Sequence, residues 1–197
     1  MSSGRTNSLL AIGIVALFSA CVQSPTETSA AAEDKPVVVL DTTLGEITIE
    51  LDQAKAPITV ANFLKYVDDG FYTNLIFHRV INNFMIQTGG MDDQMNEKPT
   101  RGTIKNESKN GLSNTRGTIA MARQNDPDSA SSQFYINLVA NNALDTYGGG
   151  YTVFGKVIGG MDVVDAIAKV QTGFKAGHED VPLKPIYIKS AKRKAKP

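Results

Sequence analysis

Residues 77–90 read FHRVINNFMIQTGG, and this stretch decides the fold. Strands are predicted at Ile76–Ile81 and Phe84–Thr88, where β-branched and aromatic residues dominate, and the Asn82-Asn83 pair between them returns the chain as a hairpin. Alternation at period two puts Phe77, Arg79 and Ile81 on one face and His78 and Val80 on the other. After the turn, Met85 and Gln87 share a face. Phe84 and Met85 are adjacent and point opposite ways in a regular strand, so a site using both needs a bulge or a turn there.

Working outward, the same pattern recurs. In SSQFYIN (131–137) Gln133 and Tyr135 fall on one face. Val37–Thr42 is β-branched, Leu44-Gly45 is a turn, and Ile47, Ile49 and Leu51 alternate with polar residues, giving a hairpin at the start of the domain. Further strands are expected at Thr118–Arg123, Phe134–Leu138, Tyr151–Val157 and Lys184–Ser190. Pro57 opens a helix with an apolar stripe at Val60, Ala61, Phe63, Leu64 and Val67, closed by Gly70. A second, short helix covers Asp162 to Lys169, with Val163, Val164, Ile167 and Ala168 facing inward. Many short strands, long polar loops at 91–116 and 124–132, and only two helices predict a mainly β, closed barrel rather than a βαβ sheet.

Composition narrows the function. The chain has 197 residues, 20 basic and 20 acidic side chains, 42% hydrophobic residues, two histidines and one cysteine. That balance excludes a disordered polyampholyte, a collagen-like chain and a polytopic membrane protein. A single cysteine excludes an intrachain disulfide and any CxxC metal or redox site. Residues 35–188 carry 14 basic and 17 acidic side chains with no basic stripe, so no nucleic-acid partner is expected. Residues 189–197, KSAKRKAKP, carry five basic residues and no acid, and read as a solvated terminus.

The N-terminus reads as an address. Leu9 to Ala20 is a 12-residue run without charge, shorter than the ~20 apolar residues of a membrane span and fitting the core of a secretory signal peptide. Ser19-Ala20-Cys21 resembles the lipobox of bacterial lipoproteins, in which the cysteine is acylated and anchors the chain; a competing cut after Ala30-Ala31-Ala32 gives a soluble exported form. The expected organisation is therefore a signal peptide at 1–21, a flexible linker at 22–35, a folded domain at 36–191 and a basic tail at 192–197. The protein is expected to be exported, either soluble in the periplasm or held to the envelope through Cys21.

Chemistry emerges by elimination. His78 and His178 lie far apart in sequence with no ligand spacing, so no metal is expected. Neither a G-x-S-x-G elbow nor a phosphate-binding loop is present. What remains is one arginine, two glutamines, a methionine and aromatics: a cation and amide donors beside an apolar platform. Such a set can bind and polarise an amide but cannot attack one.

At these residues the chain resembles the cyclophilins, peptidyl-prolyl cis–trans isomerases, and specifically their exported bacterial branch. FHRVINNFMIQTGG (77–90), GLSNTRGTIAMAR (111–123), SSQFYIN (131–137) and YTVFGKVIGGMDVVD (151–165) carry the resemblance in consistent order. It implies an eight-stranded antiparallel barrel capped by two helices, acting on proline-containing polypeptides. Rotation about an X–Pro bond requires no cofactor, and with no oligomer signal in the sequence a monomer is the default expectation. It makes Arg79 the catalytic residue. Phe84, Met85, Tyr135 and Leu144 become the pocket for the proline ring. Gln87 would orient Arg79, and Gln133 would hydrogen-bond the substrate backbone. The main chain at Ala122 and Arg123 would form the ledge for the residue before proline. Tyr151 stands where many members carry histidine. Ala143 stands where members carry tryptophan or phenylalanine, in a segment (Asn141–Asp145) one residue shorter, which implies weak binding of cyclosporin. The alternative is a proline-peptide-binding or chaperone module without catalysis.

Overall fold

The computed structural model describes residues 35–195 together with Met1 and Gly4; the predicted signal peptide, Cys21 and nearly all of the linker lie outside these residues. Ten strands and two α-helices form among the described residues. In chain order they are β1 (Val37–Thr42), β2 (Gly45–Leu51), α1 (Pro57–Asp68), β3 (Arg79–Ile81), β4 (Met85–Thr88), β5 (Thr118–Met121), β6 (Phe134–Asn137), β7 (Val153–Gly159), α2 (Met161–Ala168), β8 (Thr172–Lys175), β9 (His178–Pro182) and β10 (Ile188–Arg193).

Eight strands make one antiparallel sheet in the order β10-β1-β2-β7-β5-β6-β4-β3. The sheet curls but does not close, so the expected closed barrel is corrected to an open one. No ladder joins its ends, β10 and β3; an isolated bridge between Ile76 and Tyr187 is what spans the gap. The cause is local. β3 is only three residues long, and the chain before it meets the chain entering β10 through a few separate bonds, such as Phe77 N to Ile186 O at 3.0 Å and Ile188 N to Leu75 O at 2.8 Å, which do not extend into a ladder. The strand predicted at Lys184–Ser190 accordingly starts at Ile188 and runs on to Arg193, opposite Val38 of β1, two residues into the predicted tail.

Alternation sorts each strand into a core side and an outer side. Ile47, Ile49 and Leu51 of β2, Ile86 of β4, Ile119 and Met121 of β5, and Phe134 and Ile136 of β6 fill the concave core. Helix α1 closes over it with Val60, Phe63, Leu64, Tyr66 and Val67, while Ala61 stays exposed. Phe63 meets Phe134, Phe154 and Tyr72 at ring-centroid distances of 5.2, 5.3 and 5.4 Å. Ala56 gives α1 no side-chain cap; the Glu107 carboxylate accepts instead from Ile58 N (3.0 Å), Thr59 N (2.8 Å) and Thr59 Oγ1 (2.7 Å). A negative charge at the helix N-terminus also suits the helix dipole. Helix α2 buries Val164, Ile167 and Ala168. It starts at Gly160, whose φ of +81° and 2.1 Å approach of a would-be Cβ to the Glu46 carbonyl admit only glycine.

Candidate active site

On the outer face of β4, β5, β6 and β7 a second apolar cluster forms, separate from the core: Met85, Ala120, Tyr135 and Val153 are buried, with Phe84, Ala122, Leu144 and Tyr151 packed against them. It follows from alternation, since each of these strand residues is flanked by one facing the core. Phe84 joins Met85 because it still belongs to the turn: Asn83 has a φ of +57°, Phe84 N bonds Ile81 O at 3.1 Å, and β4 begins only at Met85.

This platform floors a groove of about 630 Å³ that collects Arg79, Phe84, Met85, Gln87, Ala122, Arg123, Gln133, Tyr135, Leu144 and Tyr151, all the residues expected at the site. The two arginines differ. Arg123 donates to the carbonyls of Gly148 (2.8 Å), Gly150 (3.1 Å) and Tyr147 (3.1 Å), and stacks on the Tyr151 ring at 4.3 Å. Its guanidinium is committed to holding that turn. Arg79 is exposed, and its side chain has no hydrogen bond or ion pair among the described residues. Its donors are free to meet a ligand lying on the platform.

Gln87 pairs with Arg79 across the β3–β4 ladder, but its Nε2 donates to Gln133 Oε1 at 2.8 Å rather than contacting the guanidinium. The two amides thus brace each other beside Arg79. Gly90 makes room for them: a Cβ there would lie 2.5 Å from the Gln133 amide. Ala122 N donates to Gln133 O at 3.0 Å, fixing the ledge to β6.

Two features differ from the sequence reading. His78 lines the groove next to Arg79 instead of facing away, because alternation holds only from β3 onward; Phe77 and Val80 both enter the core, so the chain turns between Phe77 and Arg79. Burial, the largest influence, pushes the His78 imidazole down to about 4, and its Nδ1 has no hydrogen-bond partner. The second feature is the β8–β9 hairpin, which sequence reasoning missed; it brings Phe174, His178, Glu179 and Asp180 to the groove mouth beyond Arg79. Its strands are largely exposed until Val181, so no apolar alternation announces them; Gly177 is the one turn cue.

The site therefore offers a free guanidinium, paired amides and an apolar floor. The sequence profile described as cyclophilin type peptidyl-prolyl cis-trans isomerase/CLD matches residues 37–193. The chain belongs to this family. A peptidyl-prolyl cis-trans isomerase of Acinetobacter baylyi is 54% identical over 169 residues, covering 85% of this chain and 90% of that protein. Peptidyl-prolyl cis-trans isomerase B of Escherichia coli K12 is 52% identical over 159 residues, covering 78% and 97%. Among solved structures, a cyclophilin type peptidyl-prolyl cis-trans isomerase of Cryptosporidium parvum superposes with a TM-score of 0.70 at 26% identity, covering 83% of this chain and 99% of that one. The same protein in the presence of the dipeptide Ala-Pro gives 0.69 at 26% identity, covering 81% and 99%. This chain is thus a cyclophilin-type isomerase, and its fold is the cyclophilin fold with two helices.

Proposed function

We propose that the enzyme accelerates X–Pro rotation in exported polypeptides outside the cytoplasm, with Arg79 as the catalytic residue. The X–Pro bond turns over a barrier of ~18–20 kcal/mol because its amide resonance must be broken. In the twisted state the proline nitrogen regains its lone pair and accepts a hydrogen bond that the planar amide cannot. A guanidinium reaching it binds the twisted state more tightly than either planar isomer, and that difference is the catalysis. Phe84, Met85, Tyr135 and Leu144 hold the ring, while Gln133 and the Ala122–Arg123 main chain hold the residue before it, so rotation is confined to one bond. No covalent intermediate is formed.

The observation that carries this reading is the contrast between the arginines: one committed to structure, the other free beside an apolar pocket. The assay is isomerisation of a short X-Pro peptide by the purified enzyme. Acceleration supports the proposal; binding without acceleration would favour the non-catalytic, proline-recognition alternative.

Export and anchoring rest on the leader and on Cys21. The chain is expected in the membrane fraction with an acylated Cys21, and Cys21→Ser is expected to release it into the soluble envelope fraction. Mass spectrometry of the mature N-terminus decides: a terminus after Ala32 would mean the soluble form. The Cys21 anchor would need two acyl chains to be stable, since one gives only marginal binding.

Ala143 is exposed in the turn Asn142–Asp145, and it is its neighbour Leu144 that lines the groove. With no indole donor at Ala143, cyclosporin is expected to bind weakly. Ala143→Trp should tighten it about tenfold, the effect of one added hydrogen bond with its ring contacts. Calorimetric titration of both proteins tests this, and nanomolar affinity in the unaltered enzyme would refute it.

A further inference from the structure

We propose that Asn114 is a positioning residue for the proline pocket: from behind the platform it sets the Tyr135 ring and, through Asn141 and Asp145, the Phe84 and Leu144 walls. The proposal rests on the reading of that platform as the proline site.

Asn114 is completely buried, 0% exposed, yet every polar group it carries is used. Its Oδ1 accepts from Tyr135 Oη at 2.7 Å and from Asn137 Nδ2 at 3.1 Å. Its N and Nδ2 both donate to Asp145 Oδ1 at 2.8 Å, and its carbonyl accepts from Asn141 N at 2.7 Å. From Asn141 the bonds continue to the pocket: Nδ2 donates to Phe84 O at 2.8 Å, and the Asn141 carbonyl accepts from Leu144 N at 2.8 Å. The Leu144 carbonyl in turn accepts from Tyr151 N at 3.0 Å. Ser113 Oγ donates to the other Asp145 oxygen.

The chemistry of the side chain suits this position alone. Tyr135 Oη and Asn137 Nδ2 need an acceptor, and Asp145 needs donors; only a carboxamide presents both on one short branch. Aspartate would set like charges together, and an apolar residue would strand the Tyr135 hydroxyl and take one of the three donors from the Asp145 carboxylate. Asp145 reports the strength of the arrangement. Burial would raise its carboxyl, but Ser113 and Asn114 more than offset this and hold it below its ordinary value. The bonds therefore do not scatter through the core. They converge on the residues that surround the substrate ring, three of which lie on separate segments: the β3–β4 turn, β6 and the turn Asn142–Asp145.

A purely structural asparagine would lower stability and leave the folded enzyme's affinity unchanged. A positioning residue alters affinity in protein that is still folded. The test uses the whole enzyme, with folding checked by near-ultraviolet circular dichroism and assays run well below each variant's melting temperature. Asn114→Ala is expected to raise both KM and the peptide Kd about tenfold while kcat stays within about twofold, since Arg79 is untouched. On Kd, Tyr135→Phe should cost less in the Asn114→Ala background than in the unaltered enzyme, because the bond it removes is already gone. Should Asn114→Ala fail to fold, Asn141→Ala, at a half-buried position, frees the Phe84 carbonyl and should raise Kd about threefold. Folded variants with Kd within twofold of the unaltered enzyme would overturn the proposal, as would additive effects of Asn114→Ala and Tyr135→Phe. An unaltered enzyme that binds peptide without turning it over would instead overturn the isomerase reading, while the Kd shifts would still support the positioning role.

Discussion

Arg79→Ala should reduce kcat/KM for an X-Pro peptide by about 10²–10³, the loss found when one donor to developing transition-state charge is removed. Peptide Kd should change little, because the apolar floor of Phe84, Met85, Tyr135 and Leu144 is independent of the guanidinium. No fold penalty is expected, since Arg79 is exposed and makes no side-chain hydrogen bond or ion pair among the described residues. The measurement is a pair: protease-free isomerisation by exchange NMR, and Kd by titration on the same samples. Arg79→Lys adds a discriminating arm. It keeps the charge but not the planar fork of donors, so an intermediate rate would show that geometry matters beyond charge. If Kd rose as much as kcat/KM fell, Arg79 would be binding planar and twisted amides alike, and the catalytic role would fail.

How far such a site is legible in sequence depends on whether local pattern or distant contact makes each part. Met85 with Gln87, and Gln133 with Tyr135, were readable because strand alternation assigns faces without knowledge of neighbours. The same rule failed one turn earlier. Phe77 and Val80 both reach the core because the chain bends before β3, where it is bonded to Ile186 and Ile188 more than a hundred residues away. The Glu107 cap on α1 and the Gln87–Gln133 pair are likewise contacts across long stretches of chain, invisible to period or propensity. The β8–β9 hairpin stayed hidden for a different reason. Its strands are largely exposed up to Val181, so they carry no alternating burial pattern to read.

His78 supplies the other large effect. Acidifying from pH 7 to pH 4.5 should destabilise the fold by about 2 kcal/mol through this one side chain, since each decade between folded and unfolded affinities for the proton is worth about 1.4 kcal/mol. The imidazole sits at about 4 when folded against an ordinary 6.5, because burial disfavours its charged form. The unfolded chain therefore takes up a proton as the pH falls through 6.5 while the folded chain does not. Stability is fully present above 6.5, falls between 6.5 and 4, and loses nothing further from this group below 4. The nearby Ile76 carbonyl and Gln133 amide oppose the shift, whereas His178 and Arg79, both positive when charged, reinforce it. The carboxylates held below their ordinary values, Asp92, Asp128, Asp145 and Asp165, weaken the fold only at lower pH, which keeps the two effects apart. Urea denaturation of the enzyme and of His78→Gln at both pH values checks the assignment. The glutamine variant should lose little over this interval, and parallel losses in the two proteins would place the acid sensitivity elsewhere. Because the neutral imidazole lines the groove beside Arg79, the same interval should also show catalysis holding while stability declines, until the proton reaches His78 in the folded enzyme near pH 4.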